Sequence, residues 1–148
     1  MDAPVLVATH HSSTGDQVVE RAARLAVALD AELHAVSVVP DLAVGAAIGN
    51  AGADALARQA DANRATCVEA LARAAELAGS LGADVTEHLT QGEPAAQIAQ
   101  VADAIGAGLI VLGSRGLDAA GRYVLGSVPE RLLFDPHGHD VLVVRTSS

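Results

Sequence analysis

The sequence predicts an α/β fold in which a doubly wound parallel sheet carries helices on both faces. Strand-like and helix-like segments alternate along the whole chain, which is the order expected when helical crossovers join parallel strands. The strand-like segments include short, continuous apolar runs, as is usual for strands buried on both faces. At 148 residues the chain is about one domain's worth, so we expect a single domain over residues 1–148.

In the first third of the chain, two strands flank one helix. Residues 5–8 form an apolar run that ends in a polar segment, as a buried parallel strand does. Residues 16–29 carry apolar side chains at helical spacing, which indicates an amphipathic helix. A second strand is predicted over 33–39 because Pro40 disfavours its continuation. The glycines within 41–53 predict a flexible connection.

The middle of the chain continues the alternation. A long helix is predicted over 54–81 and a strand over 83–89. Residues 91–94 predict a turn, followed by a helix over 95–104 whose first turn suits a preceding proline. The next buried strand is predicted over 109–112.

The last third contains a glycine-bearing loop, a short helix and a final strand. The loop is predicted over 113–126, the helix from about 128 to 134 and the strand over 140–145. Five strands therefore alternate with four helical segments in the prediction.

Composition and charge exclude several classes of function. Eighteen acidic residues stand against nine basic ones, for a net charge of −9, and the chain contains no lysine. With no arginine-rich stretch to neutralise a phosphate backbone, we expect no nucleic-acid partner. The apolar runs at 109–112 and 141–144 are far shorter than the about 20 residues that span a bilayer. No secretory signal is visible, so we expect a cytoplasmic protein with no membrane partner.

The strongest motif has the form GxxGx9G[S/T]. It consists of Gly113-Ser114-Arg115-Gly116, nine further residues, and Gly126-Ser127. Chance accounts for roughly 0.01 matches in a chain of this composition. The motif follows directly on a predicted strand, so it leaves the carboxyl edge of the sheet, where open α/β folds bind their ligands. Alternatively, these glycines are ordinary turn and helix-cap residues. That interpretation explains each glycine but not their spacing.

The chemistry of the motif suits a phosphate. Glycines let the backbone approach a ligand closely, and Ser127 to Glu130 has the pattern of a capping box at a helix start. The N–H groups of Gly126, Ser127 and Val128, with the Ser127 hydroxyl, can donate to phosphate oxygens. Arg115 and Arg122 add positive charge within the loop.

The sequence resembles the universal stress protein family over essentially its whole length. The resemblance is carried by VLVAT near the start, QGEPAAQI in the middle, and GLIVLGSRG, YVLGSVPERLL and VLVVR towards the end. It implies a Rossmann-like sheet with strand order 3-2-1-4-5, a homodimer, and membership of the branch that binds ATP through the glycine motif. That strand order reverses between the first and fourth strands, where the ligand crevice is expected.

The resemblance also implies which residues bind the nucleotide. Ala8 and His10 would border it, Val38 would touch the adenine, and Leu112 and Gly113 would lie beside the base and ribose. The remaining expected contacts, to ribose or phosphate, come from Ser114, Gly116, Gly126, Ser127 and Val128. At position 10 the family commonly has aspartate, which can contact ribose or help hold a metal. The histidine here leaves open whether Mg²⁺ accompanies ATP.

Other chemical interpretations are less well supported. Histidines at 10–11 and 137–139 suggest a metal site, but no recognised ligand spacing accompanies them, and turns commonly carry such residues. Cys67 falls on the apolar side of its helix, which predicts a small core residue. Ser12 beside histidines lacks the GxSxG elbow of a hydrolase.

The final strand is apolar over 141–144 and would lie at a sheet edge, where uncovered strands pair with other chains. We therefore expect a homodimer through this strand, unless a neighbouring helix covers it. The leading hypothesis is an ATP-binding regulatory protein of the stress response, in which occupancy of the loop alters a partner surface. Alternatives are a weak ATPase, disfavoured by the missing lysine, and a dimeric interaction module that binds no nucleotide.

Overall fold

A computed structural model describes residues 2–10, 13–41, 49–114, 127–133 and 138–146. Its elements are β1 (Val5–Ala8), α1 (Ser13–Leu29), β2 (Leu33–Val39), α2 (Gly49–Ser80), β3 (Val85–Gln91), α3 (Pro94–Ile105), β4 (Leu109–Gly113), α4 (Ser127–Leu133) and β5 (Asp140–Val144). The predicted alternation is confirmed. Most of the predicted loop over 113–126 lies outside the described residues.

The five strands form one parallel sheet in the order β3-β2-β1-β4-β5. Central strand β1 pairs with two neighbours, since Val5 lies opposite Leu33 of β2 and opposite Leu109 of β4. This confirms the doubly wound sheet and the strand order that the resemblance implied. The order reverses between β1 and β4, so a crevice is expected where these two strands end.

Alternate side chains of β1 enter two separate cores, one on each face of the sheet. Val5 and Val7 pack with α1 and α2, in a cluster that includes Val18 and Leu71. Leu6 packs on the opposite face with residues of α3 and α4. We call these the α1/α2 face and the α3/α4 face. A parallel strand buried on both sides explains why β1 is apolar throughout.

Several helix boundaries differ from the sequence prediction. Helix α1 begins at Ser13 instead of 16, α2 ends at Ser80 instead of 81, and α3 extends one residue beyond the predicted 95–104 at each end. Helix α2 begins at Gly49, so the flexible connection predicted over 41–53 is wrong for 49–53. Glycine costs only about 1 kcal/mol in a helix, and extending a formed helix adds a hydrogen bond with each residue. Helix α4 begins at Ser127 instead of 128. The Ser127 side chain lies outside the described parts, so the capping box stays a prediction.

Strand β3 is shifted two residues from its predicted place at 83–89. The N–H of Ala83 donates to the carbonyl of Ala78 at 2.9 Å, which makes Ala83 part of the closure of α2. Gly82 has φ +91°, a conformation that suits glycine after a helix. At its other end the strand continues to Gln91, which pairs with Val39.

His139 fastens the start of β5 to the end of α3. Its Nδ1 lies 2.9 Å from the carbonyl oxygen of Ala107, and its Nε2 lies 2.6 Å from the Asp103 carboxylate. Since carbonyl and carboxylate oxygens are acceptors, both ring nitrogens donate. These contacts give the histidine a structural role. Among the described residues, no group of three or more His, Cys, Asp or Glu is arranged to hold a metal ion.

The substitution His139→Ala is expected to lower the free energy of unfolding by about 1.5 kcal/mol, because charge-assisted hydrogen bonds are lost. Denaturation by urea measures this effect. The matched control is His10→Ala, since His10 is exposed and its replacement is expected to change stability by less than about 0.5 kcal/mol. Equal stability of the two variants would contradict the role assigned to His139.

Candidate functional site

The carboxyl ends of β1, β2 and β4 meet at one edge of the sheet and bring three predicted site residues together. Val7 lies opposite Val111, so Ala8 and Leu112, which follow them, end side by side. On the other side of β1, Ala8 pairs with Val36, two residues before Val38. These three apolar residues therefore span the point where the strand order reverses.

Four of the predicted site residues belong to the same apolar cluster on the α3/α4 face. Leu112 is a buried member of it, while Ala8, Val38 and Val128 are partly buried and pack against it. Leu112 is only 3% exposed, so its side chain is packed inside this cluster and is not available to a ligand. The partly buried side chains of Ala8 and Val38 are the ones that offer apolar surface to a flat ligand.

Gly113 is required for packing between β4 and α1. A Cβ at this position would lie 2.8 Å from Cγ2 of Val18 and 3.5 Å from Cγ2 of Thr146. Real Cβ atoms essentially never come as close as the first distance. From the sequence, this glycine was expected to lie beside the base and ribose of a nucleotide. The structure adds a packing reason for it on the α1/α2 face, where α1 crosses the end of the strand.

Ser114 is held by the segment that follows β5. Its N–H donates to the carbonyl of Val144 at 2.9 Å, and its hydroxyl oxygen accepts from the N–H of Thr146 at 3.3 Å. The Thr146 hydroxyl donates to the Ser114 carbonyl at 3.2 Å. The hydrogen of the Ser114 hydroxyl can still donate to a ligand. Thr146, which is 4% exposed, was not among the residues predicted for the site.

His10 follows β1 at the same edge and is exposed. The preceding residue, Thr9, is buried, and its N–H donates to the carbonyl of Val36 at 3.0 Å. The backbone is therefore fixed immediately before His10. An imidazole at this position can both donate and accept, which an aspartate carboxylate cannot.

Three predicted ligand-binding residues lie outside the described residues. They are Arg115, Gly116 and Gly126. The start of α4 is described, and the backbone of Ser127 is its first residue. Helix α4 has seven residues, which is about two helical turns, and it follows directly on the last residue of the loop.

An ion pair that no sequence pattern predicted joins α3 and α4 near this edge. The Glu93 carboxylate caps α3 by accepting from the N–H groups of Ala95 at 3.2 Å and Ala96 at 2.7 Å. The same carboxylate accepts from the guanidinium of Arg131 in α4. The predicted turn over 91–94, with its proline, indicated where α3 begins. Nothing in the local sequence indicates that residues 93 and 131 are in contact.

Cys67 lies in α2, and its thiol donates weakly to the carbonyl of Val38 at 3.6 Å. The residue is 9% exposed, which confirms the prediction of a buried residue. Cys67 thus supports the end of β2 from the helix.

An open groove lies at the opposite, amino edge of the sheet. It is lined by residues of α1, β2 and the approach to β3, among them Ala26, Asp30, Glu32, Gly82 and Asp84. Of the predicted ligand-binding residues that the structure describes, none borders it. Its carboxylates are also unsuited to phosphate, so the groove does not mark the candidate site.

Comparison with known proteins identifies the family. The family model described as the universal stress protein family matches residues 2–145. The chain belongs to the universal stress protein family. This result confirms the resemblance stated from the sequence motifs, and it covers the strands that form the edge described above.

Other universal stress proteins match over most of their length. One from Methanocaldococcus jannaschii is 28% identical over 141 residues, covering 95% of this chain and 81% of that protein. A universal stress protein solved in complex with cAMP is 31% identical, with a TM-score of 0.72 and 98% of each chain covered. The UspA protein of Lactobacillus plantarum has a TM-score of 0.80 at 24% identity, with 97% of each chain covered, and supports the fold.

Within the described part of this universal stress protein, no helix has the length and apolar character needed to cross a bilayer. The long helix α2 is an example, because exposed polar residues occur along its 32-residue span.

Proposed function

We propose that this universal stress protein binds ATP at the carboxyl edge between β1 and β4, and that the loop over 113–128 holds the phosphates. The observation that carries the proposal is the GxxGx9GS motif, which begins at the end of β4 where the strand order reverses. Occupancy of the loop would then alter a surface that a partner in the stress response recognises.

The base is proposed to lie against Ala8 and Val38. Both are apolar, partly buried and adjacent to the reversal point. Adenine is flat and largely apolar on its faces, so such a surface suits it. The related universal stress protein in complex with cAMP supports an adenine nucleotide as the ligand class.

The phosphates are proposed to lie over the glycine loop, with Gly116, Gly126, Ser127 and Val128 as their contacts. Ser114 would add a hydroxyl donor, since its oxygen is already engaged by Thr146. Arg131 is already paired with Glu93, so the positive charge near the phosphates is proposed to come from Arg115 and Arg122 of the loop. At physiological salt the Debye length is about 8 Å, so these local charges outweigh the distant acidic ones.

His10 is proposed to border the ribose and phosphates. A neutral imidazole can exchange hydrogen bonds with ribose hydroxyls, and an imidazolium can meet a phosphate. A histidine in place of aspartate removes a hard oxygen ligand, so we expect ATP affinity to depend little on Mg²⁺.

The proposed assembly is a cytoplasmic homodimer formed through β5. In the single chain the side chains of Val141, Leu142 and Val143 are only half-buried on this edge strand. A second copy would cover them and satisfy the outer backbone groups of the strand. Sedimentation analysis of the purified chain measures this state directly.

Calorimetric titration with ATP tests the proposed function. We expect saturable binding of one nucleotide per chain, with similar affinity in the presence and absence of Mg²⁺. Adenosine tests the contribution of the base, and tripolyphosphate tests that of the loop. Absence of heat with ATP, together with unchanged thermal stability at saturating nucleotide, would leave the dimeric interaction module as the function. Phosphate release at saturating ATP would reveal the weak ATPase.

A further inference from the structure

Two histidines join edge strand β3 to its neighbour β2. Nδ1 of His34 lies 2.9 Å from Nε2 of His88, the ring planes are 19° apart, and the ring centroids are 5.1 Å apart. Rings stacked face to face with this nitrogen distance would have closer centroids. The rings therefore meet edge to edge in nearly one plane, with the two nitrogens aimed at each other, as in an N–H···N hydrogen bond.

This geometry does not suit a metal ion. Two ligands of one ion direct their lone pairs at a common point, whereas these nitrogens point at each other across a hydrogen-bond distance. One proton fills the gap between them. The pair formed by His34 and His88 is called the histidine clasp below.

Glu32 fixes the other side of the clasp. Its Oε1 lies 3.3 Å from Nε2 of His34, which therefore donates to it. With both rings neutral, Nε2–H of His88 donates to Nδ1 of His34. With one added proton on the pair, a single N–H can still lie between the two facing nitrogens, so the hydrogen bond is kept and the Glu32 carboxylate offsets the charge. A second added proton places an N–H on each of the two facing nitrogens. The hydrogen bond is then lost, and two positively charged rings repel each other.

The surroundings of the clasp offer little to neutralise a second charge. His34 is 8% exposed and His88 is half-buried. Both strands present these side chains to the α3/α4 face, because their partners in register, Leu6 and Val36, belong to that core. Among the described residues, the only titratable side chain of α3 is Asp103, which is bound to His139 at the far side of that face.

The described charged residues of β1, α2 and β3 also lie away from the clasp. From β1 the paired residue is apolar, and α2 packs on the opposite face of the sheet. In β3, Glu87 alternates with His88 and so points to that opposite face. Asp84 precedes the strand at the amino edge. Glu32 is thus the carboxylate that contacts the clasp within the described residues.

We propose that the histidine clasp is an acid-sensitive latch, which holds β3 to β2 near neutral pH and releases this edge of the sheet when both rings are protonated. This device is independent of nucleotide binding. Burial, followed by the charge of His34, lowers the pKa of His88 below its ordinary value. A base whose pKa is lowered on folding stabilises the fold above its unfolded-state pKa, near 6.5, and this stability is lost as the pH falls through the lower, folded value.

Histidine NMR and hydrogen exchange on the full chain test the latch. In ring ¹H–¹⁵N spectra from pH 8 to 5, we expect His88 of the folded protein to titrate at lower pH than the histidines of the urea-unfolded chain. We also expect amides of 85–91 to lose protection at pH 5 relative to pH 7.5, after correction for intrinsic exchange rates. Unchanged protection of these amides at the two pH values would overturn the proposal.

Two variants separate the latch from general acid sensitivity. In His88→Gln the side-chain amide can donate to Nδ1 of His34 without titrating, so protection of β3 is expected to be the same at both pH values. In His34→Gln the pKa of His88 is expected to rise, because the neighbouring charge is gone. An equal acid-induced loss of protection in the wild type and in His88→Gln would assign the loss to other groups and refute the latch.

Discussion

Replacement of Gly126 by valine is expected to abolish nucleotide binding while leaving the protein folded. In the proposed site the backbone at the end of the GxxGx9GS motif approaches the phosphates, and a branched side chain there would occupy their space. Loss of two or more phosphate hydrogen bonds corresponds to at least about a 100-fold weaker affinity, since each 1.4 kcal/mol is a factor of ten. Calorimetric titration with ATP measures the change.

The matched control is Gly79→Val. Gly79 lies near the end of α2, is exposed, and a Cβ there would meet no atom within 4 Å. This control is expected to bind ATP as the wild type does, and both variants are expected to keep the wild-type circular dichroism spectrum. Wild-type affinity in Gly126→Val would mean that the phosphates bind elsewhere.

Replacement of Gly113 by alanine is expected to lower the free energy of unfolding by about 1–3 kcal/mol. The added Cβ would lie 2.8 Å from Cγ2 of Val18, which is 1% exposed and has no room to withdraw without disturbing the core. Chemical denaturation measures the loss. The physical cause is close packing between α1 and β4, so the effect is expected without any nucleotide.

A double-mutant cycle with Val18→Ala identifies the contact responsible. Removing Cγ2 of Val18 leaves space for the new Cβ, so the double variant is expected to be more stable than the sum of the two single effects indicates. Gly79→Ala serves as the control for adding a methyl group where nothing is close. Strict additivity in the cycle would contradict the packing role of Gly113.

The sequence predicted the strands more closely than the helix ends. Strands β1 and β2 begin and end where predicted. Burial on both faces makes β1 a continuous apolar run, and Pro40 marks the end of β2. The start of α2 was missed because glycine suggests a connection locally, whereas helix extension is decided by the whole element. The position of β3 depended on the pairing between Val39 and Gln91, which no local pattern contains.

The position of some candidate site residues in the fold follows from the sequence, whereas their role in binding stays a prediction. The sequence identified residues that the fold brings together at one edge, namely Ala8, Val38 and Leu112. It assigned Gly113 to the ligand alone, because the motif around this glycine does not reveal its contact with Val18 of α1. The contacts of Ser114 with Thr146, and of Glu93 with Arg131, join residues more than 30 positions apart. Such pairs exist only once the chain has folded.

The position of β1 in the sheet has a consequence for synthesis. Val5 pairs with Leu33, which leaves the ribosome soon after it, but also with Leu109, which is translated much later. A nascent chain that has emerged as far as β3 can align three strands, yet Leu6 and Val36 wait for α3 and α4 to cover them. For that interval one apolar side of the growing domain faces water, and it is the surface on which chaperone protection during translation would act.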